Sequence, residues 1–362
     1  MFNLTLPLNR GNLPLIMEKG KKLDYAAAGV SLKAADQVVE KIKTQARSTF
    51  NANVLSDIGL FGGLFRVPTG EFKEPVLVAS TDSVGTKVKL GFMSGIHNTV
   101  GQDIVNHCVN DILVQGARPL FFLDYVGIGK LIPEVMADIV AGLAKACREN
   151  GAALLGGETA ELPGFYKEGE YDLVGTIVGI VEREKIINGS AIAAGDVVIG
   201  LPSVGLHTNG YSLARKICFD LAGLSFHDRV DDIGNEIGLE LMTVHKSYLN
   251  PVSALLSEMQ PSGMAHITGS GIPGNLIRII PQKFKAVIRR GSWPGLPIFD
   301  FLQKTGSVAD TDMYDAFNMG IGYIIVVRSD SAGRAIEILA AHGQPGYKIG
   351  IIETGARAVE II

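Results

Sequence analysis

The sequence predicts a protein of two domains, each built from alternating β-strands and α-helices. Its 362 residues exceed what one average hydrophobic core organises, so we expect domains at 1–184 and 185–362. Hydrophobic residues make up 47% of the chain and charged residues 19%, which is typical of strands buried on both faces or of apolar surface hidden in an oligomer. Apolar runs at strand spacing and at helical spacing alternate along the chain.

The N-terminal half contains one strongly periodic segment, a helix predicted over 98–116. Its apolar residues form two adjacent ridges, whereas Asp103, His107 and Asp111 form a polar ridge at four-residue spacing. We expect the apolar face to pack and the polar face to be available for chemistry. The other elements predicted in this half are a helix from Ser31, a strand ending at Asp82, a strand at 121–126, a helix at 133–150, a strand that begins at 152 and reaches Glu158, and a strand at 172–181.

The C-terminal half follows a segment, 183–195, that is rich in charged and small residues and marks the expected domain boundary. The elements predicted after it are a strand at 197, a helix from 210, a long helix at 236–258, a strand at 286–288, helices at 298 and 331, and strands at 324–327 and 347–352.

Composition excludes several functional classes. The chain has 33 basic and 37 acidic residues, and a net charge of -4 offers no basic surplus for a nucleic-acid backbone. Cys108, Cys147 and Cys218 are odd in number and lie in apolar helical segments, so we expect them in the core. No apolar run reaches the roughly 20 residues of a membrane helix and no secretion signal is apparent, so we expect a cytoplasmic protein.

Three acidic residues mark a candidate metal site. Asp82 ends an apolar strand and is followed by Gly85, Thr86 and Lys87, which places a carboxylate, a hydroxyl and an ammonium where a metal-bound phosphate could bind. Two further acidic strand or helix positions follow, Asp111 in CVNDILVQGA and Glu158 in LLGGETAELPG. Each acid alone is often only a cap or turn residue. Their recurrence favours a shared function.

Glycine-rich loops offer possible phosphate sites, although none is a Walker A loop because Thr86 precedes Lys87. The loop 59–63 is either a phosphate-binding nest or a tight turn. The segment 269–274 matches GxGxxG, but Pro273 and its late position argue against a dinucleotide fold.

A third loop presents His207, Thr208 and Asn209 just before a helix that is predicted to begin at Gly210. The free N–H groups of a helix start favour an anion, so this loop is a candidate substrate site. A loop histidine can equally be only a solvated side chain.

Six runs resemble one known family, the aminoimidazole ribonucleotide synthetases, or phosphoribosylformylglycinamidine cyclo-ligases. They occur in the family's order and span most of the chain. The runs are FGGLF at 61–65, TDSVGTK at 81–87, CVNDILVQGARPLFFLDY at 108–125, GGETAELPGFY at 156–166, HTNGYSL at 207–213 and FNMGIG at 317–322.

This resemblance implies a homodimer whose subunits have an N-terminal mixed-sheet α/β domain and a C-terminal α+β domain. It implies an enzyme of de novo purine biosynthesis that uses ATP and Mg²⁺ to close the ring of formylglycinamidine ribonucleotide. Neither nucleic acid nor a membrane is an expected partner. Two alternatives stay open: a non-catalytic nucleotide-binding paralogue, and a related ATP-dependent enzyme such as a selenophosphate synthetase, a thiamine-phosphate kinase or a hydrogenase-maturation dehydratase.

The resemblance also assigns roles to individual residues. Asp82, Asp111 and Glu158 would hold Mg²⁺, and His207, Asp82 and Lys87 would be catalytic. ATP would contact Gly62, Gly63, Asp82, Thr86, Lys87 and Lys43. The substrate would contact Gly157, Thr159, His207, Thr208 and Asn209.

The chain departs from the family pattern at several positions, which bear more on substrate choice than on the ATP site. Leu60 and Ser83 replace glycines, and Ala26 and Ala27 replace a Lys-Asp pair. Ser270, Pro273 and Gly274 alter a TGGGxxEN run and remove its glutamate, while Asp315 replaces an arginine. Losing an arginine and a glutamate changes how a phosphorylated substrate can be held.

Overall fold

Two β-sheets, one from each half of the chain, organise the fold. The computed structural model of the protein describes residues 32–362. Ser31, Ala26 and Ala27 therefore lie outside the described residues. The first sheet ends at Glu182 and the second begins at Val197.

The N-terminal sheet has four strands in the order β1-β4-β2-β3. β2 and β3 are parallel and the other pairs are antiparallel, so the predicted mixed sheet is confirmed. Its strands are β1 (Pro75–Ser83), β2 (Arg118–Ile128), β3 (Ala153–Glu161) and β4 (Tyr171–Glu182). The helices of this half are α1 (Leu32–Arg47), α2 (Val88–Ser94), α3 (Asn98–Leu113) and α4 (Pro133–Glu149).

One face of this sheet is covered and the other is not. α3 packs on β1 and β4, and α4 packs on α3 and α1. Alternate residues of a strand point to opposite faces, so Ser80 and Asp82 point toward α3, whereas Leu77 points away and is 55% exposed. No described helix covers the outward face, which also carries Leu123 and Val174.

Helices α3 and α4 approach each other at two glycines. A Cβ on Gly101 would lie 2.3 Å from the carbonyl oxygen of Ile139, and one on Gly142 would lie 2.0 Å from that of Asn98. The two backbones are therefore in direct contact, and no larger residue fits without moving a helix.

The C-terminal half contains a six-stranded sheet in the order β12-β9-β11-β5-β10-β8 and a two-stranded ribbon. Only β9 and β12 pair in parallel, so the predicted α+β domain is confirmed. Its strands are β5 (Val197–Pro202), β6 (Arg229–Val230), β7 (Asn235–Glu236), β8 (Gly263–His266), β9 (Phe284–Ile288), β10 (Ile321–Val327), β11 (Tyr347–Thr354) and β12 (Ala358–Ile361).

The helices of this half surround the sheet. They are α5 (Tyr211–Arg215), which continues as a π-helix over Lys216–Leu221, α6 (Ile237–Leu241), α7 (Leu249–Glu258), α8 (Gly271–Leu276), α9 (Pro297–Gly306), α10 (Asp310–Ala316) and α11 (Ala332–Ala341). Within residues 32–362, no helix combines the length and apolar character that crossing a membrane requires. The three cysteines are free and buried, as predicted.

One helix prediction is wrong. The long helix predicted at 236–258 is two helices, α6 and α7, separated by a loop. The loop forms because its backbone bonds to side chains of α3: Asp103 accepts from the His245 N–H at 2.7 Å and Asn110 accepts from the Tyr248 N–H at 2.9 Å. For the same reason the polar face of α3 is buried against the C-terminal half.

A candidate active site between the two halves

Two of the three predicted metal ligands meet at the junction between β1 and α3. Nε2 of His107 lies 2.8 Å from Oδ2 of Asp82 and 3.7 Å from Oδ2 of Asp111. Ser80 donates to Asp111 at 2.9 Å, which orients that carboxylate. Strand β1 and helix α3 thus bring the two acids to the same nitrogen of one imidazole.

Both carboxyl groups are ionised at neutral pH. Burial disfavours their charge, but His107 and the Ser83 N–H hold the pKa of Asp82 below its usual value. Burial also raises the pKa of Asp111, but His266, His107 and Ser80 outweigh this effect and lower the pKa to about 2. Although burial disfavours its charge, His107 has a raised pKa because Asp82, Asp111 and Asp103 surround it. The two carboxylates therefore favour the protonated form of His107.

Three more histidines extend this cluster into the C-terminal half. His266 contacts Asp111 at 2.8 Å through Nδ1, and its Nε2 faces Nε2 of His245 at 3.1 Å. Thr208 joins His107 and His245, at 2.7 and 3.2 Å from their Nδ1 atoms. His207 stacks on His245 with ring centroids 4.1 Å apart. These four residues, His107, His207, His245 and His266, form the histidine cluster.

His207 and Thr208 therefore lie where the sequence suggests, in a loop before a helix, but they do not face solvent. His207 is only 1% exposed and adopts a left-handed backbone conformation with φ of 63°. Burial lowers its pKa well below the usual value, and the nearby Lys87 ammonium acts in the same direction. Asn209 is half-buried beside them.

Lys87 does not occupy the position expected for a triphosphate ligand. Its ammonium is buried and donates to Asp103 at 2.8 Å, to the His207 carbonyl at 2.9 Å and to the Thr243 carbonyl at 2.7 Å. Three acceptors use all three protons of an ammonium group. The structure thus gives Lys87 a role in joining the two halves, and its contact with ATP stays a prediction.

Glu158 is also separated from the other two acids within the protomer. Asp82 pairs across the sheet with Gly175, which pairs with Asp124, which pairs with Gly157. Three strand spacings of about 4.8 Å therefore separate β1 from β3, roughly 14 Å in all. Glu158 follows Gly157 and so points to the opposite face of the sheet from Asp82. The three acids do not converge on one ion within one protomer, which corrects that prediction.

Glu158 instead lines a cavity of about 690 Å³ between α1, the loop 59–63 and β3. The predicted residues Gly62, Gly63, Gly157 and Thr159 line the same cavity. Its volume and its mixture of apolar walls with convergent polar groups are typical of a small-molecule site. The loop predicted to bind ATP and two of the residues predicted to bind the substrate therefore lie in the same cavity.

Asp124 is a further candidate in this cavity, and sequence reasoning missed it. Burial raises the pKa of its carboxyl to about 7. A Cβ on Gly157 would lie 2.3 Å from Oδ1 of Asp124, so only glycine leaves room for this side chain. A carboxyl that titrates near neutral pH inside a pocket is suited to proton transfer. The available signal was an acid inside a predicted apolar strand.

The remaining predicted residues lie at the edges of these two sites. Thr86 hydrogen bonds Ser212 of α5 at 3.0 Å across the two halves. Lys43 pairs with Glu40 on α1, outside the residues that line the cavity. Neither position by itself identifies a ligand.

The departures from the family pattern are distributed over the fold. Leu60 lines the cavity, and the Ser83 N–H donates to Asp82. Ser270 has a φ of 72°, and a Cβ on Gly274 would lie 2.3 Å from its Cβ, so these two departures fit each other. Asp315 lies on α10.

Comparison with known proteins gives a consistent result. Residues 66–181 match the family described as AIR synthase related protein, N-terminal domain, and residues 193–362 match its C-terminal domain. The chain is 48% identical to the phosphoribosylformylglycinamidine cyclo-ligase of Alkaliphilus oremlandii over 93% of this chain and 99% of that protein. It is 47% identical to the cyclo-ligase of Brevibacillus brevis over 92% and 97%.

Solved structures show the same fold at low identity. The thiamine-monophosphate kinase of Stenotrophomonas maltophilia K279a is 17% identical with a TM-score of 0.65, over 90% of this chain and 95% of that chain. The hydrogenase maturation protein HypE in complex with ATP is 19% identical with a TM-score of 0.65, over 92% and 93%.

Proposed function

The chain belongs to the AIR synthase related protein family, and we propose that it catalyses the reaction for which its curated relatives are named. That reaction is the ATP-dependent closure of formylglycinamidine ribonucleotide to aminoimidazole ribonucleotide, with release of ADP and phosphate. The observation that carries this proposal is the 48% identity to a cyclo-ligase over nearly the full length of both chains. The fold by itself does not choose among substrates, since a kinase shares it.

The chemistry has two stages. The formyl-amide oxygen attacks the γ-phosphorus of ATP, and the bond from that phosphorus to the ADP oxygen breaks. An amidine nitrogen then attacks the activated carbon, loses a proton, and expels the oxygen as phosphate. Phosphorylation is needed because an amide oxygen is a poor leaving group. The protein must therefore position the reactants and balance the charge that develops.

Asp82 and Asp111 are suited to hold Mg²⁺. Both carboxylates are ionised, come within 4 Å of a common point at His107 Nε2, and supply the oxygen ligands that a hard cation prefers. His107 lies between them, so its imidazolium must turn aside or lose its proton when a cation binds. The ion would balance phosphate charge.

The cavity at 59–63 is the proposed ATP site. The glycines of this loop can direct backbone N–H groups at a phosphate, and Gly157 and Thr159 lie on the facing wall. Asp124, whose pKa is about 7, could accept the amidine proton there. Glu158 supplies a second acid at the cavity mouth.

We further propose that the protein is a cytoplasmic homodimer that associates through the outward face of the N-terminal sheet. Leu77 and Leu123 are exposed there although they belong to strands, and a monomer rarely leaves such an apolar face uncovered. Glu158 points to this same face. Sedimentation of the wild-type protein and of the Leu77→Asp variant tests this arrangement, since a monomeric wild type would contradict it.

The catalytic proposal is tested with the purified protein, ATP, Mg²⁺ and formylglycinamidine ribonucleotide. We expect ADP, phosphate and aminoimidazole ribonucleotide in equal amounts. If the formyl oxygen carries ¹⁸O, the label must appear in the released phosphate. ATP binding without turnover would support a non-catalytic paralogue, and label retained in the nucleotide product would contradict the mechanism.

A further inference from the structure

The histidine cluster contains an arrangement that has no part in the chemistry proposed above. One ring nitrogen each from His207, His245 and His266 lies within 4.8 Å of the other two, and all three side chains are buried. They come from three separate segments: the loop after β5, the loop between α6 and α7, and the end of β8. Imidazoles that converge in this way can bind a metal ion when their lone pairs are free or are released from a hydrogen bond.

Neighbouring groups define which nitrogens carry protons. A carboxylate only accepts hydrogen bonds, so Asp111 fixes a proton on Nδ1 of His266 and leaves Nε2 of the neutral ring with a lone pair. The Asn110 amide is oriented by the Lys246 carbonyl and the Tyr248 N–H. Its nitrogen therefore donates to Nε2 of His245, which must also carry a lone pair.

Nε2 of His245 and Nε2 of His266 thus lie 3.1 Å apart with a proton assigned to neither, and the lone pair of the His245 atom accepts from Asn110. Without a proton or a cation between them these atoms repel. The separation is close to the spacing of about 3.3 Å between two nitrogens bound to one tetrahedral Zn²⁺ at its usual bond length of about 2.05 Å.

His207 supplies the third nitrogen. Neither of its ring nitrogens hydrogen bonds to any other described residue, although the side chain is buried. Buried polar atoms are normally paired, so this is an exception that calls for an explanation. The ring now stacks on His245, and turning it toward the facing nitrogens breaks no hydrogen bond. Its strained backbone, with φ of 63°, and the close approach that Gly322 allows hold it at this position.

We propose that His207, His245 and His266 form a binding site for a divalent transition-metal ion of the Zn²⁺ type, separate from the Mg²⁺ site at Asp82 and Asp111. Neutral imidazoles select such ions over Mg²⁺, which prefers oxygen. Asp111 on His266 provides the carboxylate that commonly supports a zinc-bound histidine. Three protein ligands leave a fourth coordination position for water.

The site would tie three segments of the C-terminal half together beside α3. It does not depend on the proposed reaction, because the argument uses only ring positions and hydrogen bonds. A failure of ring closure would therefore leave it untouched.

The test uses the untagged full-length protein, stripped with a chelator and titrated with Zn²⁺ or Co²⁺ in excess Mg²⁺, which occupies the carboxylate site. We expect one equivalent of tightly bound ion, a raised melting temperature, and a Co²⁺ visible spectrum of tetrahedral intensity. His245→Gln and His207→Gln should weaken binding by more than the roughly 10- to 100-fold that loss of a supporting group costs. His227→Gln, at a histidine that is 74% exposed and outside the cluster, should bind as the wild type does.

X-ray absorption of the Zn²⁺-loaded wild type keeps the test decisive even if a variant does not fold. Three imidazole ligands would support the site. Absence of stoichiometric binding, binding that survives both ligand substitutions, or a shell of oxygen ligands alone would each overturn it.

Discussion

Nε2 of His107 lies 2.8 Å from Oδ2 of Asp82, so the acid near the end of the first strand of the N-terminal sheet is paired before any metal binds. The pairing keeps Asp82 ionised in a half-buried position. It also means that an incoming cation competes with an imidazolium for the same carboxylate.

Replacing Asp82 by asparagine tests whether its charge is needed for Mg-ATP use. We expect kcat/KM for Mg-ATP to fall by at least roughly 10-fold, because the amide keeps the shape but loses the charge that holds the ion. Steady-state kinetics at several Mg²⁺ concentrations measure this. Asp300→Asn, at an exposed acid on α9, is the matched control and should retain wild-type values. Equal activity of the two variants would remove Asp82 from the metal site.

The Lys87–Asp103 pair should contribute strongly to stability. Both side chains are essentially inaccessible, and Lys87→Met would leave the Asp103 carboxylate buried without its partner. Breaking a buried pair in this way costs about 3–5 kcal/mol. Chemical denaturation should show that loss, whereas Lys89→Met, which breaks a more exposed pair with Glu170, should cost at most about 1 kcal/mol. Similar losses in both variants would contradict the assigned role of Lys87.

Asp124 should make stability depend on pH between about 4 and 7. Its pKa is about 7 in the folded protein against 3.8 as a reference, so the folded state holds a proton that the unfolded state has released. Stability from this group is therefore complete below pH 4, decreases as pH rises, and levels off above pH 7. The upper bound of the change is about 4 kcal/mol at 1.36 kcal/mol per pKa unit.

Asp124→Asn removes this dependence. The variant should be more stable than the wild type at pH 8 and differ little from it at pH 4, as measured by urea denaturation at each pH. A parallel pH dependence in both proteins would show that the Asp124 carboxyl titrates normally.

Replacing either of two helical glycines by alanine should have opposite effects on the stability of the protein. Gly101→Ala places a methyl group 2.3 Å from a backbone oxygen of α4, so the helices must separate and we expect a loss of about 3 kcal/mol or more. Gly333, near the start of α11, has open space around it, and alanine there should stabilise by up to about 1 kcal/mol. Thermal unfolding of both variants compares them directly, and stabilisation by Gly101→Ala would contradict the close helix contact.

Local patterns in the sequence predicted most of the elements and their order. The α3 helix, predicted over 98–116 and observed at Asn98–Leu113, shows why: helical spacing of apolar residues reports the packed face directly. The same spacing gave a wrong prediction at 236–258, where two helices replace the single long one. The loop between α6 and α7 is stabilised by hydrogen bonds to α3, which lies about 140 positions earlier in the chain. His245 was missed with it.

The candidate site was predicted in part for similar reasons. Motifs singled out Asp82 near a strand end, Asp111 on the polar face of a helix, and the glycine-rich loop at Gly62 and Gly63. Motifs could not show that Glu158 points to the other face of the sheet, because the face on which a side chain lies depends on the register of its strand. Nor could motifs show that the Lys87 ammonium donates hydrogen bonds to backbone carbonyl groups of the C-terminal half.

The contact between α3 and the loop that separates α6 from α7 limits how this protein can be recombined with its relatives. Asn106 and Asn110 donate to the carbonyls of His245 and Lys246, so helix side chains complete the backbone bonding of a segment in the other half. A chimaera joined between Glu182 and Val197 would unite a helix and a loop that were not selected together. Functional crossovers should therefore exchange both segments, however well each sheet tolerates substitution on its own.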